Sequence, residues 1–91
     1  MSEKKILAFF IEGCPYCKQA RESVNELSAN YPGVNIEWID ENKHPEISEK
    51  YDDYFVPSMF VNDKKIYESH RGESKQECFN NVKKVFEAAL Q

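Results

Sequence analysis

The sequence predicts an α/β fold with the element order βαβ, then α, then ββα, in one domain spanning residues 1–91. Three observations carry this prediction. An unbroken apolar run at residues 6–11 precedes a helical stripe and then an alternating strand, the pattern of a βαβ unit. Two strand-like segments around a turn follow, and the chain ends in a second amphipathic helix. No linker or repeat interrupts this order.

The first strand and helix follow from periodicity. Residues 6–11 are apolar without alternation, as expected of a central strand covered on both faces. From Pro15 to about residue 30, a helix is predicted because apolar residues recur at steps of three and four. Its buried stripe contains Cys17, Ala20, Val24, Leu27 and Tyr31. Cys17 therefore belongs to the buried face, whereas Cys14 does not.

The second strand and the second helix complete the first half of the chain. Alternation of Val34, Ile36 and Trp38 predicts a strand that lies parallel to the first, with a right-handed crossover. Residues 40–52 are predicted to form a short helix that has Pro45 near its start.

The remaining elements are a hairpin and a final helix. Residues 56–61 and 65–70 flank the turn-rich segment 62–64, which predicts two antiparallel strands, with Pro57 at the first residue of its strand. Ser74 is a suitable N-cap with Glu77 three residues later. The final helix then has an apolar stripe made of Phe79, Val82, Val85, Phe86, Ala89 and Leu90. We interpret the aromatic residues on such stripes as packing residues: Phe9, Phe10, Trp38, Phe60, Phe79 and Phe86.

The charge composition argues against two classes of binding partner. The chain has 12 basic and 16 acidic residues, a formal net charge of -4, which gives no electrostatic reason to expect nucleic acid or an anionic membrane as a partner. No apolar run is long enough to cross a bilayer, and residues 1–5 do not resemble a signal peptide. We expect a cytoplasmic protein and a monomer.

The sequence Cys14-Pro15-Tyr16-Cys17 lies between the first strand and the first helix. Two cysteines three positions apart at a helix start can close a small disulfide ring, and Pro15 suits the first helical turn. Cys14 then lies at the positive end of the helix, where unpaired N–H groups stabilise a thiolate. The motif predicts a redox dithiol with Cys14 as the nucleophile.

Charged neighbours should tune the nucleophile. Lys18 and Arg21 add positive charge within the first two turns, and Glu12 subtracts some. With Pro15 opening the helix, we expect the pKa of Cys14 to lie below the free value of about 8.5.

The third cysteine and the histidines leave a metal site open as an alternative. The chain has three cysteines, and Cys78 at helical spacing is interpreted as a small core residue. A tetrahedral zinc site needs four ligands, and Cys78, His44 and His70 are the residues left to complete one with the dithiol. We favour no metal and no bound cofactor.

The element order, the dithiol and the proline that opens the third strand resemble the thioredoxin fold, a four-stranded mixed sheet with helices on both faces. Within that superfamily the Cys-Pro-Tyr-Cys tetrad and short chain resemble dithiol glutaredoxins. The segment from Trp38 through Pro57 and Ser58 looks more like thioredoxin. Ala8 stands where thioredoxins place a buried acid.

The resemblance implies a substrate site. Pro57 should be cis and face the dithiol, and the backbone of Val56 should pair with an extended substrate. Tyr16, together with Tyr54 and Phe55, could form an apolar rim around the sulfurs.

Glutaredoxins hold glutathione through a Gly-Gly pair and a Ser/Thr-Asp pair. Here those positions are Arg71-Gly72 and Ser74-Lys75, so one residue of each pair is present. Arg71 and Lys75 could attract the carboxylates of glutathione. The resemblance therefore makes Arg71, Gly72 and Ser74 candidate substrate-binding residues and glutathione a possible reductant.

These features predict a glutaredoxin-like thiol–disulfide oxidoreductase. Its substrates would be protein or low-molecular-weight disulfides, including glutathionylated proteins, for which free glutathione could replace Cys17. One alternative is a thioredoxin-like protein recharged by a flavoprotein thioredoxin reductase. The other is a metal-binding or iron–sulfur-binding module, because some glutaredoxins hold a cluster between two subunits.

Overall fold

The computed structural model describes residues 5–51 and 56–90. Within these ranges the elements are β1 (Ile6–Phe10), α1 (Pro15–Ser28), β2 (Ile36–Asp40), α2 (Pro45–Ser48), β3 (Ser58–Val61), β4 (Lys64–Glu68) and α3 (Lys75–Ala89). This order confirms the predicted βαβ, α, ββα arrangement. Pro57 lies immediately before β3 rather than inside it.

The four strands form one mixed sheet in the order β2-β1-β3-β4. β1 is parallel to β2 and antiparallel to β3, and β3 is antiparallel to β4. β1 is therefore internal, with a paired strand on each side, as its uninterrupted apolar sequence predicts. Its carboxyl end leads directly into the loop that carries Cys14.

The sheet is covered on both faces. On one face, side chains from alternate strand positions pack against α1 and α3, among them Ile6, Ala8, Val24, Met59 and Phe86. On the other face, Phe9, Ile39 and Phe60 pack against Ile47 and Tyr51, in and just after α2. Successive strand residues point to opposite faces, so β1 contributes to both cores.

The hairpin turn and the last helix begin as their residues predict. Asn62 and Asp63 connect β3 to β4 with positive φ values of 53° and 66°, which Asn and Asp tolerate better than most residues. α3 starts with a capping box: Ser74 Oγ accepts from the N–H of Glu77, and the Glu77 carboxylate accepts from the N–H of Ser74. The turn thus defines the end of β3, and the capping box defines the start of α3.

The second helix is much shorter than the sequence predicts. Asp40 is the last residue of β2, paired in register with Phe10, and its carboxylate accepts the N–H of Asn42 at 2.8 Å. This local turn ends the strand and delays the helix. α2 begins at Pro45, its N-cap His44 makes no side-chain capping bond, and it ends at Ser48. Without a side-chain cap, and with Ile47 only half-buried against the core, α2 forms one turn of helix.

No helix in the described part of the chain is both long enough and apolar enough to cross a membrane.

Candidate active site

Cys14 lies at the start of α1, in the loop that follows the central strand. Gly13 precedes it with φ of 80°, and Cys14 itself has the extended backbone of an N-cap residue, with φ of -87° and ψ of 118°. Cys14 Sγ accepts the N–H of Cys17 at 3.3 Å. The side chain is half-buried. The predicted nucleophile is thus accessible and faces the unpaired donors of the helix start.

Cys17 occupies the buried stripe of the same helix, as predicted, and is only 4% exposed. Burial, then the hydrogen bond to the Cys14 side chain and the charge of Cys14, raise the pKa of Cys17 to about 12. The backbone of Ile11 and the charge of Arg21 act in the opposite direction and lower this pKa. Cys17 is therefore a neutral thiol at neutral pH while Cys14 is reduced.

The segment before β3 borders the dithiol. Cys14 Sγ lies 3.9 Å from the carbonyl oxygen of Val56, which is half-buried. The Val56–Pro57 peptide bond is cis, as the resemblance implies, and Pro57 is buried. The carbonyl oxygen of Pro57 accepts the N–H of Ser69 at 3.0 Å, which ties this segment to the end of β4. The backbone at Val56 is thus held beside the sulfur.

Tyr16 joins the tetrad to the loop between β4 and α3. Its hydroxyl accepts the backbone N–H of Gly72 at 2.7 Å, across 56 positions of sequence. Gly72 has φ of 83°, a left-handed conformation that favours glycine. Gln19 adds contacts of 3.4 Å from its side-chain amide to the carbonyl oxygens of Glu73 and Ser74. Tyr16 therefore lies against this loop and is half-buried.

Two of the residues that the resemblance assigns to glutathione have hydrogen-bond partners inside the protein. The N–H of Gly72 is bonded to Tyr16, and Ser74 Oγ caps α3 by accepting from Glu77 at 3.1 Å. Arg71 and Lys75 are exposed. Tyr54 and Phe55, the other expected members of the apolar rim, lie outside the described residues.

Three residues of α1 were predicted to tune the nucleophile. Pro15 is the first residue of the helix, and Lys18 is exposed on its second turn. The guanidinium carbon of Arg21 lies 4.8 Å from the centre of the Phe10 ring and 4.4 Å from that of Trp38. Phe10 and Trp38 are half-buried, and Trp38 packs against the core as predicted. Both rings contact Arg21 by cation–π interaction.

An open cavity of about 370 Å³ lies beside the dithiol. Its walls are the loop 11–14 with Phe10, Cys17, Lys18 and Arg21. Both sulfur-bearing residues and both basic residues of α1 thus border the same space.

The family model for the thioredoxin domain matches residues 4–78. The chain belongs to the thioredoxin-domain family. None of the curated proteins matches the sequence. The dithiol at the end of the central strand, the cis proline beside it and the mixed four-stranded sheet all agree with this membership.

Solved thioredoxin structures have the same fold. Mitochondrial thioredoxin 3 of Saccharomyces cerevisiae superposes with a TM-score of 0.67 at 18% identity, over 93% of this chain and 81% of that one. Thioredoxin O1 of Arabidopsis thaliana gives 0.66 at 21% identity, over 93% and 79% of the two chains. Thioredoxin 1 of Thermosipho africanus TCF52B gives 0.62 at 23% identity, over 92% and 96%.

The sequence does not predict a buried polar cluster that lies next to the site. Glu73 is 5% exposed, and its carboxylate accepts from Tyr67 at 2.6 Å, Ser69 at 3.0 Å and Asn81 at 3.3 Å. The Tyr67 hydroxyl also lies 3.4 Å from Cys78 Sγ. Burial raises the pKa of both Tyr67 and Cys78. These residues fix the loop that Tyr16 contacts.

The side chains considered for a zinc site have other partners. Cys78 is fully buried beside Tyr67, His44 contacts Glu46 at 3.4 Å, and His70 contacts Glu77 at 3.1 Å. Across residues 5–51 and 56–90, no group of three His, Cys, Asp or Glu side chains is arranged to hold a metal ion.

Proposed function

We propose that this chain is a thiol–disulfide oxidoreductase that reduces protein or low-molecular-weight disulfides through a Cys14/Cys17 dithiol cycle. The observation that carries the proposal is the division between the two sulfurs. Cys14 is half-exposed and accepts a hydrogen bond at the helix start, whereas Cys17 is buried with its pKa raised. This difference supports Cys14 as the attacking sulfur and Cys17 as the resolving sulfur.

In the first step the Cys14 thiolate attacks one sulfur of a substrate disulfide. A bond forms between Cys14 and that sulfur, the substrate S–S bond breaks, and the second substrate sulfur leaves as a thiolate. The N–H of Cys17 and the other donors of the first helical turn stabilise the anionic Cys14 before attack.

In the second step Cys17 attacks Cys14 Sγ. The mixed disulfide breaks, the substrate is released as a dithiol, and Cys14 and Cys17 form a disulfide; the proton lost by Cys17 goes to the departing thiolate. Two of the causes that raise the pKa of Cys17 are the hydrogen bond to Cys14 and the charge of Cys14. Both disappear when Cys14 is in the mixed disulfide, so Cys17 ionises more readily when it is needed.

Two electrons must then return to the oxidised protein. We favour a flavoprotein thioredoxin reductase over glutathione because the expected glutathione contacts are already used: the N–H of Gly72 bonds Tyr16, and Ser74 Oγ caps α3. Glutathione would have to displace one or both of these bonds.

The reductant test starts from the oxidised protein. One sample receives NADPH with a thioredoxin reductase, another receives reduced glutathione at matched reducing capacity, and free thiols are counted over time. Tyr16→Phe is the matched variant, because it frees the Gly72 N–H without touching the sulfurs. We expect the reductase to restore both thiols and glutathione to act slowly. Glutathione should reduce Tyr16→Phe faster than it reduces the wild-type protein. Faster reduction of the wild-type protein by glutathione would reverse the assignment.

Metal content separates the enzyme from a binding module. We expect the protein purified without chelator to be colourless and free of stoichiometric zinc or iron while it reduces insulin or a peptide disulfide. Stoichiometric iron with visible absorbance, combined with no reductase activity, would favour the cluster-binding alternative. We also propose a cytoplasmic location, which fractionation of the producing cells tests, and a monomeric state, which sedimentation of the reduced protein tests.

A further inference from the structure

The cavity beside Cys14 contains a second group able to recognise a substrate, the guanidinium of Arg21. Its contacts with the rings of Phe10 at 4.8 Å and Trp38 at 4.4 Å restrict the side chain. The two rings are nearly perpendicular, at 81°, so the planar guanidinium can lie face-on to only one of them. It carries five N–H donors, and those that do not face a ring can bind an oxyanion. Arg21 is exposed, so these donors are accessible to a ligand.

Arg21 forms no ion pair with an acidic side chain in the described part of the chain. The ion pairs found in residues 5–51 and 56–90 join other residues, and none includes Arg21. The cavity wall adds a second cation, Lys18, against one acid, Glu12. This positive excess lies in a chain with a net charge of -4, so it is a local feature of the site rather than of the whole surface.

We propose that Arg21 binds an acidic side chain of a peptide or protein substrate and so gives the enzyme a preference for disulfides flanked by Asp or Glu. The proposal rests on the function proposed above, in which Cys14 attacks the substrate. An Arg fork and a carboxylate can form two parallel hydrogen bonds, which supplies both attraction and orientation.

Helix geometry sets where the acidic residue should be. Arg21 follows Cys14 by seven positions, about 10 Å along the helix at 1.5 Å per residue. An extended substrate advances about 3.3 Å per residue. The carboxylate should therefore come from a residue two or three positions from the attacked cysteine.

The experiment measures kcat/KM for three peptide disulfides of one sequence. Positions two and three residues on either side of each cysteine are all Glu, all Gln or all Lys. At low ionic strength the wild-type protein should reduce the Glu peptide about tenfold faster than the Lys peptide, with the Gln peptide between them. The preference should decrease as salt is added.

Variants identify the residue responsible. In Arg21→Gln the ratio of Glu to Lys peptide should fall to within about twofold, while Arg21→Lys should retain part of it because the charge stays and the fork is lost. Lys84→Gln removes one positive charge from an exposed position on α3 and should keep the wild-type ratio. Each ratio is measured on one variant, so any change in thiol reactivity cancels.

The outcomes separate this proposal from the proposed function. If the wild-type protein reduces none of the peptides, the function itself is wrong. If it reduces all three equally, or if Arg21→Gln keeps the ratio, the acidic-substrate proposal is wrong and the dithiol cycle stands. An Arg21 effect confined to oxidised glutathione, measured in parallel, would also overturn the assignment to peptide substrates.

Discussion

The two long helices begin in the same way but with different atoms. At α3, Ser74 Oγ accepts the N–H of Glu77 at 3.1 Å, and Glu77 returns a bond to the N–H of Ser74 at 3.1 Å. At α1, Cys14 Sγ accepts the N–H of Cys17 at 3.3 Å, and the first turn contains no acidic residue. The two cysteines thus occupy the two positions that form a capping box in α3.

This comparison shows how one local motif serves stability or chemistry. In α3 a carboxylate offsets the positive end of the helix and the cap is closed on itself. In α1 the first turn contains no acidic residue to offset that end, Cys14 Sγ accepts the N–H of Cys17, and the position of Glu77 is taken by the buried Cys17. Cys14 and Cys17, which we propose form the redox dithiol, thus stand in α1 where Ser74 and Glu77 stand in α3.

Cys14→Ser tests the comparison most severely, because it gives α1 the same N-cap residue as α3. All disulfide exchange should fall below detection, since no nucleophilic thiolate remains at the helix start. The free energy of unfolding should stay within about 1 kcal/mol of wild type, because serine is a good N-cap. An insulin-reduction assay and urea unfolding measure the two effects. Residual exchange would show that another thiol attacks.

Cys17→Ser should stop turnover while leaving the first attack intact. The mixed disulfide between Cys14 and the substrate then has no internal thiol to resolve it, so it should accumulate in a one-to-one ratio. Mass spectrometry of the acid-quenched reaction under non-reducing conditions would detect this adduct. Continued turnover without added thiol would mean that Cys17 is not the resolving cysteine.

Alkaline pH should destabilise the reduced protein through Cys17. Its pKa rises from an ordinary value of 9.0 to about 12 on folding, so between these values the unfolded chain has lost a proton that the folded chain keeps. The free energy of unfolding should therefore fall as pH rises, by up to about 1.4 kcal/mol per pH unit from this thiol.

Urea unfolding between pH 8 and pH 11 would measure this dependence. Cys17→Ser is the matched control, and its slope against pH should be shallower than that of the reduced wild-type protein. Part of the slope should remain, because burial also raises the pKa of Cys78 and Tyr67. Identical slopes would show that Cys17 does not hold its proton more tightly in the folded state.

Glu77→Ala should have the smallest effect, confined to the α3 cap. The backbone N–H of Ser74 and then His70 lower the pKa of Glu77 from 4.5. Its stabilising contribution is present above that value and is lost as pH falls through the lowered pKa. The variant should melt slightly below wild type at pH 7, and the difference should vanish in acid. Thermal circular dichroism measures it; unchanged reductase activity is the control.

Much of the fold and both sulfurs could be predicted because they depend on local sequence. The helical period alone places Cys17 on the buried stripe and leaves Cys14 at the cap. Residues that favour positive φ mark the turn at Asn62 and Asp63. The predicted length of the second helix is wrong because its first predicted residues depend on interactions that periodicity does not reveal. Asp40 pairs with β1, and its carboxylate then holds a local turn at Asn42.

The rest of the site depends on contacts between distant segments. Tyr16 meets Gly72 across 56 positions, and Arg21 is held by Phe10 and Trp38 from two different strands. Such contacts form only when the sheet is assembled. The sequence therefore reveals the aromatic and basic side chains but not which of them meet. The sequence does not single out Glu73, because its three donors are distributed over β4, the residue that follows β4, and α3.

Trp38 gives the protein a built-in optical probe. It is the one tryptophan of the sequence, and its ring lies 4.4 Å from the Arg21 guanidinium carbon and 6.0 Å from the Phe10 ring. A carboxylate that binds Arg21 places a negative charge near a single emitter. Intrinsic fluorescence should therefore report occupancy of the site on the unlabelled protein, without interference from a second indole.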